Sequence, residues 1–289
     1  KTKINSIKEN PDYYCLVKAL ENTDPINPGS YRSVGYIEDL EKITPENVFK
    51  YYNSVLKGDI VDIFIVGDVD IDEYKNVFLE KFKINTIKRN KGNIYYTYNK
   101  FRKRSKKIVL QEKDLVQSKV GVIFKLVNIK DIERKYIFPI YADILGGGTY
   151  SKLFQNIREK HSLTYSISAL TNPPCNIMMI SAGIKKDNFN KTIKLVKKEI
   201  KNMEKLITEE ELENAKNDMI TNYNSVFDNP IDIINYYFGI EVLKSDTIES
   251  KIKAVKNVKV EDIKSFSKKV KMDTILLMNG DKENEEDWN

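Results

Sequence analysis

Leu145-Gly146-Gly147-Gly148-Thr149-Tyr150-Ser151-Lys152-Leu153-Phe154-Gln155-Asn156-Ile157-Arg158-Glu159-Lys160-His161-Ser162-Leu163-Thr164-Tyr165 is the stretch on which the reading of this chain turns. An apolar run ends in three glycines, a helix start follows at Ser151, and Arg158 and Tyr165 stand seven positions apart. Glycine has no Cβ, so Gly146, Gly147 and Gly148 open backbone conformations and close approaches that a side chain forbids. The run is not a phosphate loop, because Gly-Gly-Gly-Thr-Tyr-Ser-Lys lacks the required spacing. Its local reading is a helix stop and a tight turn.

Working outward, Val116 to Val127 reads as a strand, and Asp131 to Leu145 as a helix with Tyr136, Ile140 and Ile144 on one face. Ser151 to Glu159 is a short helix, and Tyr165 to Leu170 and Ile177 to Gly183 are strands. Asp187 is placed to cap a long helix whose face is Phe189, Ile193, Val196, Ile200 and Met203. Thr208 with Glu211 forms a capping box for the next helix, and another follows Pro230 with Ile233, Ile234, Tyr237 and Ile240 inside. Strands and helices come in pairs rather than one by one. That pattern predicts an α+β fold of antiparallel sheet with helices on one face.

The N-terminal part reads similarly. A helix over residues 1–22 is broken near Asn10-Pro11, where proline lacks an N–H and its ring clashes. Thr44 and Pro45 open a helix with Val48, Phe49, Tyr52 and Val55 on its apolar face. Asp59 to Val66 has a buried-strand pattern stopped by Gly67-Asp68, and Ile71 to Phe82 is a helix. Residues 84–107 are polar and basic and read as a linker, apart from a possible short strand at Ile94–Tyr98.

The two parts repeat. Ile37-Glu-Asp-Leu40 and Ile43-Thr-Pro-Glu-Asn-Val48 recur as Ile252-Lys-Ala-Val255 and Val258-Lys-Val-Glu-Asp-Ile263. Asp62-Ile-Phe-Ile-Val-Gly67-Asp68 recurs as Thr274-Ile-Leu-Leu-Met-Asn-Gly280-Asp281, and Glu9-Asn10-Pro11 mirrors Asp228-Asn229-Pro230. A tandem duplication follows, with domains at 1–83 and 108–289. The second copy has about a hundred residues ahead of its matched region that the first lacks, so the first domain is expected to be incomplete, with unpaired sheet edges unless another chain covers them. The initial Lys1 agrees with a chain truncated at its N-terminus.

At 289 residues the chain can hold two cores. The charge of +6 is small, with lysines and glutamates interleaved, so nucleic acid is not an expected partner. The basic run Lys100–Lys107 reads as solvated linker. Two cysteines, Cys15 and Cys175, imply no disulfide framework and read as small buried hydrophobes, which points to a reducing, cytoplasmic setting. No apolar run is long enough to span a membrane, and no signal peptide is visible.

The run Ile144-Leu-Gly-Gly-Gly148, Ser151-Lys-Leu-Phe154, Ile157-Arg-Glu-Lys160 and Leu163-Thr-Tyr165 resembles the second domain of pitrilysin-type zinc metallopeptidases, the group of insulinase and mitochondrial processing peptidase. The series Gly35, Ile43-Thr44, Tyr51-Tyr52 and Val66-Gly67-Asp68 resembles the end of that family's first domain. The likeness is strongest to the bacterial branch of inactive, non-peptidase homologues, which occur beside an active-type partner. It implies two tandem domains of the metallopeptidase LuxS/MPP-like fold, each an antiparallel sheet of about six strands packed with helices. It also implies that the first domain supplies an HxxEH zinc motif and a distal Glu, while the second supplies an arginine and a tyrosine that hold the substrate carbonyl and the oxyanion. Arg158 and Tyr165 fall on that spacing, and both are hydrogen-bond donors suited to the task.

The zinc half is not in this sequence. His161 is the single histidine, no HxxEH surrounds it, and Glu159 is wrongly spaced. No metal or cofactor is therefore expected on this chain, and zinc is expected only on a partner or in a preceding segment. The resemblance gives Arg158 and Tyr165 catalytic roles, with Gly146, Gly147, Gly148 and Ser151 in substrate binding. The local alternative is an arginine in a surface ion pair and a tyrosine filling a core. The strand from Asn176 to Ala182 is either a peptide-accepting strand or an ordinary internal one. Three functions follow: a subunit that lends Arg158 and Tyr165 to a peptide-cleaving chamber shared with a zinc-bearing homologue; a non-catalytic peptide-binding or structural subunit; or part of a self-sufficient zinc endopeptidase. A homodimer is a further expected arrangement.

Overall fold

A computed structural model describes residues 1–81, 96–98, 102–112 and 115–280. Its helices are α1 (Thr2–Asn5), α2 (Pro11–Glu21), α3 (Ile37–Leu40), α4 (Pro45–Gly58), α5 (Ile71–Lys81) and α6 (Phe138–Gly146). They continue as α7 (Phe189–Asn202), α8 (Glu209–Asn224), α9 (Pro230–Glu241), α10 (Ile248–Lys256) and α11 (Val260–Ser267). The strands are β1 (Lys106–Glu112), β2 (Ser118–Leu126), β3 (Thr164–Asn172), β4 (Ile177–Ile184) and β5 (Val270–Gly280). The fold is α+β. The chain forms two compact units, a larger one of Lys1–Tyr36, Tyr95–Met219 and Lys253–Asn289, and a smaller one of Ile37–Ile94 and Ile220–Ile252.

The larger unit is built on one sheet in the order β1-β5-β2-β4-β3, in which β1 runs parallel to β5 and the other pairs are antiparallel. Register assigns its two faces. Val122 pairs with Ile180, and Ile180 with Ala169; on the other face Gly121 pairs with Ser181 and Leu276. On the first face α6 comes so near that a Cβ at Gly146 would lie 2.6 Å from the Ala169 nitrogen. Behind α6, Phe266 of α11 meets Phe138 and Tyr141 at ring distances of 5.9 and 5.3 Å. On the second face α2 lies over Gly121, whose absent side chain leaves room for Ala19 and the Cys15 carbonyl. Cys15, Ala19, Ile123, Ile177, Leu276 and Met278 form one buried cluster there. Helices therefore cover both faces, and the one-face expectation is corrected. Strand β2, buried along nearly its whole length, has a continuous rather than alternating apolar pattern for that reason.

Local signals act where expected. Asn10 and Asn229, the two members of the repeated Asn-Pro break, both cap the following helix, accepting from Tyr13 N–H and Ile231 N–H. Thr44 caps α4 with Pro45 in its first turn, and Thr208 and Glu211 exchange the two capping-box bonds at 3.1 and 2.9 Å. Asp187 does not cap α7: a short turn at Lys186–Asn188 precedes it, and Asn188, in helical conformation, makes no side-chain cap.

In the smaller unit the repeat keeps its pattern but not its burial. Ile263 and Phe266 of α11 are fully buried, whereas their counterparts Val48 and Tyr51 of α4 are 51% and 71% exposed. Residues 60–66 form no helix and pair with no strand among the described residues, and Ile63, Ile65 and Val66 are exposed. The expected strand there is not formed, because an apolar pattern states a need for a neighbouring strand without supplying one. Phe64 instead meets Phe238 of α9 edge-on at 6.1 Å. The units also regroup the sequence halves: α2 joins the unit that contains β5, and α9 joins the unit that contains residues 60–66. Of the possible strand at 94–98, Tyr98 makes a single bridge to Val127, and residues 94 and 95 lie outside those described, as does most of the expected linker.

Candidate functional site

The Gly-rich segment ends α6. None of Gly146, Gly147 and Gly148 takes a positive φ, so the conformational freedom expected of them is not used. What Gly146 supplies is closeness, with Ala169 of β3 and Leu153 pressed against its Cα. Ser151 is buried and donates to the Gly148 carbonyl at 2.6 Å, which closes the turn. Residues Phe154–Glu159 then form a π-helix, with Lys160 N–H reaching back to the Gln155 carbonyl. Such widened turns re-aim side chains and recur at functional sites.

Arg158 leaves this turn with its guanidinium 4.5 Å from the Phe154 ring centre and its Nε 3.9 Å from a Glu159 oxygen. That ion pair is loose and solvent-exposed, so it contributes little stability and leaves the arginine free to meet a ligand. The chain reverses through Ser162, at a φ of 50°, and enters β3. There the ladder slips: Thr164 pairs with Ile184 and Ser166 with Gly183, so Tyr165 is the extra residue of a bulge. A bulge turns its residue away from the regular alternation. Tyr165 is 54% exposed, which excludes the core-filling reading of this side chain.

Arg158 and Tyr165 line one pocket of about 470 Å³ in the larger unit, together with Glu159, Ser162, Leu163, Thr164, Lys185 and Asn188. Gly146, Gly147, Gly148 and Ser151 are not among its lining residues; they shape the turn and the helix–strand contact beneath it. Lys185 and Asn188 were not singled out from sequence. They follow β4, and only the β3–β4 pairing brings them here; Asn188 Nδ2 then donates to the Leu163 carbonyl at 3.2 Å. Strand β3 is an edge strand, while β4 is flanked by β2 and β3. The Asn176–Ala182 strand is thus the internal one, and among the described residues β3 has no strand on its outer side.

No group of three or more His, Cys, Asp or Glu that could hold a metal ion occurs among the described residues. His161 is exposed, with Nδ1 2.5 Å from the Asn156 carbonyl, and the residues around it do not fit a zinc site. The cysteines do not offer a nucleophile. Burial, with Asp12 nearby, pushes the Cys15 thiol up to about 12, and burial also raises Cys175 against the opposing Gly29 and Asn172 hydrogen bonds.

The helix-flanked sheet thus carries an arginine–tyrosine pocket, and its architecture is that of a peptidase-like domain. The chain belongs to the M16 peptidase family, the pitrilysin-type group, and residues 42–219 match the description "Peptidase M16 inactive domain". It is similar to the probable inactive metalloprotease YmfF of Bacillus subtilis, 23% identical over 283 residues covering 97% of this chain and 66% of that protein. An uncharacterized zinc protease of Rickettsia bellii is 25% identical over 231 residues, 76% of this chain and 52% of that protein. The crystal structure of a conserved protein from Enterococcus faecalis superposes with a TM-score of 0.86 at 25% identity, covering 98% of this chain and 67% of that one. The chain spans between half and two thirds of the length of these curated relatives. No helix among the described residues is long and apolar enough to cross a membrane.

Proposed function

We propose that this chain is a peptide-binding, peptidase-like subunit whose Arg158 and Tyr165 contact a substrate peptide lying along the free edge of β3, within a chamber shared with a zinc-bearing homologous subunit. The observation that carries this reading is the convergence of Arg158 and Tyr165 in one pocket at the start of an edge strand. An extended peptide adding to β3 gains backbone hydrogen bonds, and strand addition is a general mode of peptide capture. Two donors beside that strand, a guanidinium fork and a phenol, suit a carbonyl oxygen that gains charge as the peptide bond is attacked. The attacking water and its metal belong to the partner in this reading.

The test is reconstitution. The chain mixed with a zinc-bearing homologue from the same genome is expected to cleave peptides that neither cleaves alone. Arg158→Ala is expected to lower the rate by about a hundredfold or more, the scale of one lost oxyanion donor. Full activity in the Arg158→Ala mixture would refute the shared-chamber role. Peptide binding without turnover under any pairing would point to the non-catalytic peptide-binding subunit instead.

A further inference from the structure

The pocket holds more positive charge than its carbonyl-contacting role requires. Two of its lining residues, Arg158 and Lys185, are cationic and only Glu159 is anionic. Glu159 lies beside Arg158, at 3.9 Å, whereas Lys185 has no ion pair or hydrogen bond from its ammonium among the described residues. Lys185 follows Ile184, which pairs with Thr164, so the sheet register holds the lysine across from the start of β3. Thr164 adds a hydroxyl: it is 7% exposed, lines the same pocket, and its Oγ1 has no hydrogen-bond partner among the described residues. A cation with no partner and a buried hydroxyl with none both gain from an oxygen-rich anion.

We propose that this pocket takes a carboxylate of the bound peptide, and that Lys185 is the residue that selects it. The proposal rests on the reading of Arg158 and Tyr165 as peptide contacts and adds the chemical class of the peptide. Arg158 and Tyr165 engage the backbone carbonyl of any peptide. Lys185, one strand away, supplies a charge that only an acidic side chain or a free C-terminus can use. A neutral peptide leaves that ammonium in water at little cost, so the selection is a gain for acidic ligands rather than a barrier to others.

Four labelled extended peptides of one sequence test this by fluorescence anisotropy at low salt. One carries a central Glu with an amidated C-terminus, the second Gln in its place with the amide, the third Gln with a free C-terminus, and the fourth Lys with the amide. The Glu peptide or the free-terminus peptide is expected to bind about tenfold tighter than the Gln amide, the scale of one charge-assisted hydrogen bond. Whichever of the two gains identifies the source of the carboxylate. The Lys peptide is expected to bind most weakly, and the gain is expected to shrink as added salt screens the charges. Lys185→Gln is expected to abolish the gain and Lys185→Arg to retain it. Equal affinities for all four peptides would overturn the carboxylate site, and a gain that survives Lys185→Gln would overturn Lys185 as the residue that selects it, while either leaves the peptide reading standing. If no peptide of any charge binds, the peptide reading falls, and this inference with it.

Discussion

Adding one methyl group at Gly146 tests how the site is supported. A Cβ there would sit 2.6 Å from the Ala169 nitrogen, 2.8 Å from the Ala169 Cβ and 3.1 Å from Leu153 Cδ1. The first two neighbours belong to β3, whose register against β4 also positions Tyr165. They cannot retreat as the tip of a long side chain can. Overpacking of this kind costs about 1–3 kcal/mol, against a gain of up to about 1 kcal/mol for replacing glycine by alanine within a helix. With the full offset the net loss is up to about 2 kcal/mol, a fall of up to roughly 8 °C in the melting temperature of a unit of this size. Gly148→Ala is the control, because a Cβ at Gly148 meets nothing within 4 Å and its φ is not positive. It is expected to be neutral or slightly stabilising. Calorimetry of both variants, with hydrogen exchange followed on β3, reads the difference. Equal melting temperatures for the two variants would refute the argument that Gly146 is required by close packing rather than by turn geometry.

Burial, with Asp218 nearby, raises the Asp143 carboxyl above the ordinary carboxylate range. A raised value means that the folded state favours the proton, so this stabilising contribution is present below the ordinary value and is lost as pH rises through the folded one. Asp143 also lies in the last turn of α6, where a negative charge opposes the helix dipole. Asp143→Asn is therefore expected to stabilise the protein by about 0.3–1 kcal/mol at pH 7. The gain should vanish near pH 4, and a gain independent of pH in thermal melts would count against this cause. In the smaller unit α4 and α5 have no buried residue, whereas α7 of the larger unit buries Thr192, Ile193, Val196 and Glu199. Amide exchange is expected to be at least tenfold faster along α4 and α5 than along α7, and equal protection would show that α4 and α5 are covered in solution.

The parts of this molecule that can be read from sequence are those decided within a few residues. Thr44-Pro45, Thr208 with Glu211, and the paired Asn10-Pro11 and Asn229-Pro230 breaks are local hydrogen-bond problems with local solutions, and each forms. Asp187 shows the limit of that reasoning, because a single extra turn at Lys186–Asn188 shifts the helix start past it. The α+β class followed from the paired strands and helices, whereas the meaning of the Arg158–Tyr165 spacing became legible through family resemblance, and periodicity alone would have left these residues as surface and core. Nothing in the sequence marks the π-helix at 154–159 or the bulge at Tyr165, since both are register choices made against neighbouring turns and strands. Lys185 stayed hidden for the same reason: twenty residues separate it from Tyr165, and the pairing of two strands removes that separation. The apolar run at residues 60–66 was legible as a strand in want of partners, and its exposure follows from their absence among the described residues.

The claim that Arg158 and Tyr165 form a peptide contact beside β3 is tested most directly by photocrosslinking. An extended peptide carrying a benzophenone group, irradiated with the purified chain and mapped by mass spectrometry, is expected to label residues 158–165 and β3. The yield is expected to fall at least fivefold in both Arg158→Ala and Tyr165→Phe, each lacking one donor. Labels placed elsewhere on the chain, or a yield that neither substitution changes, would contradict the account.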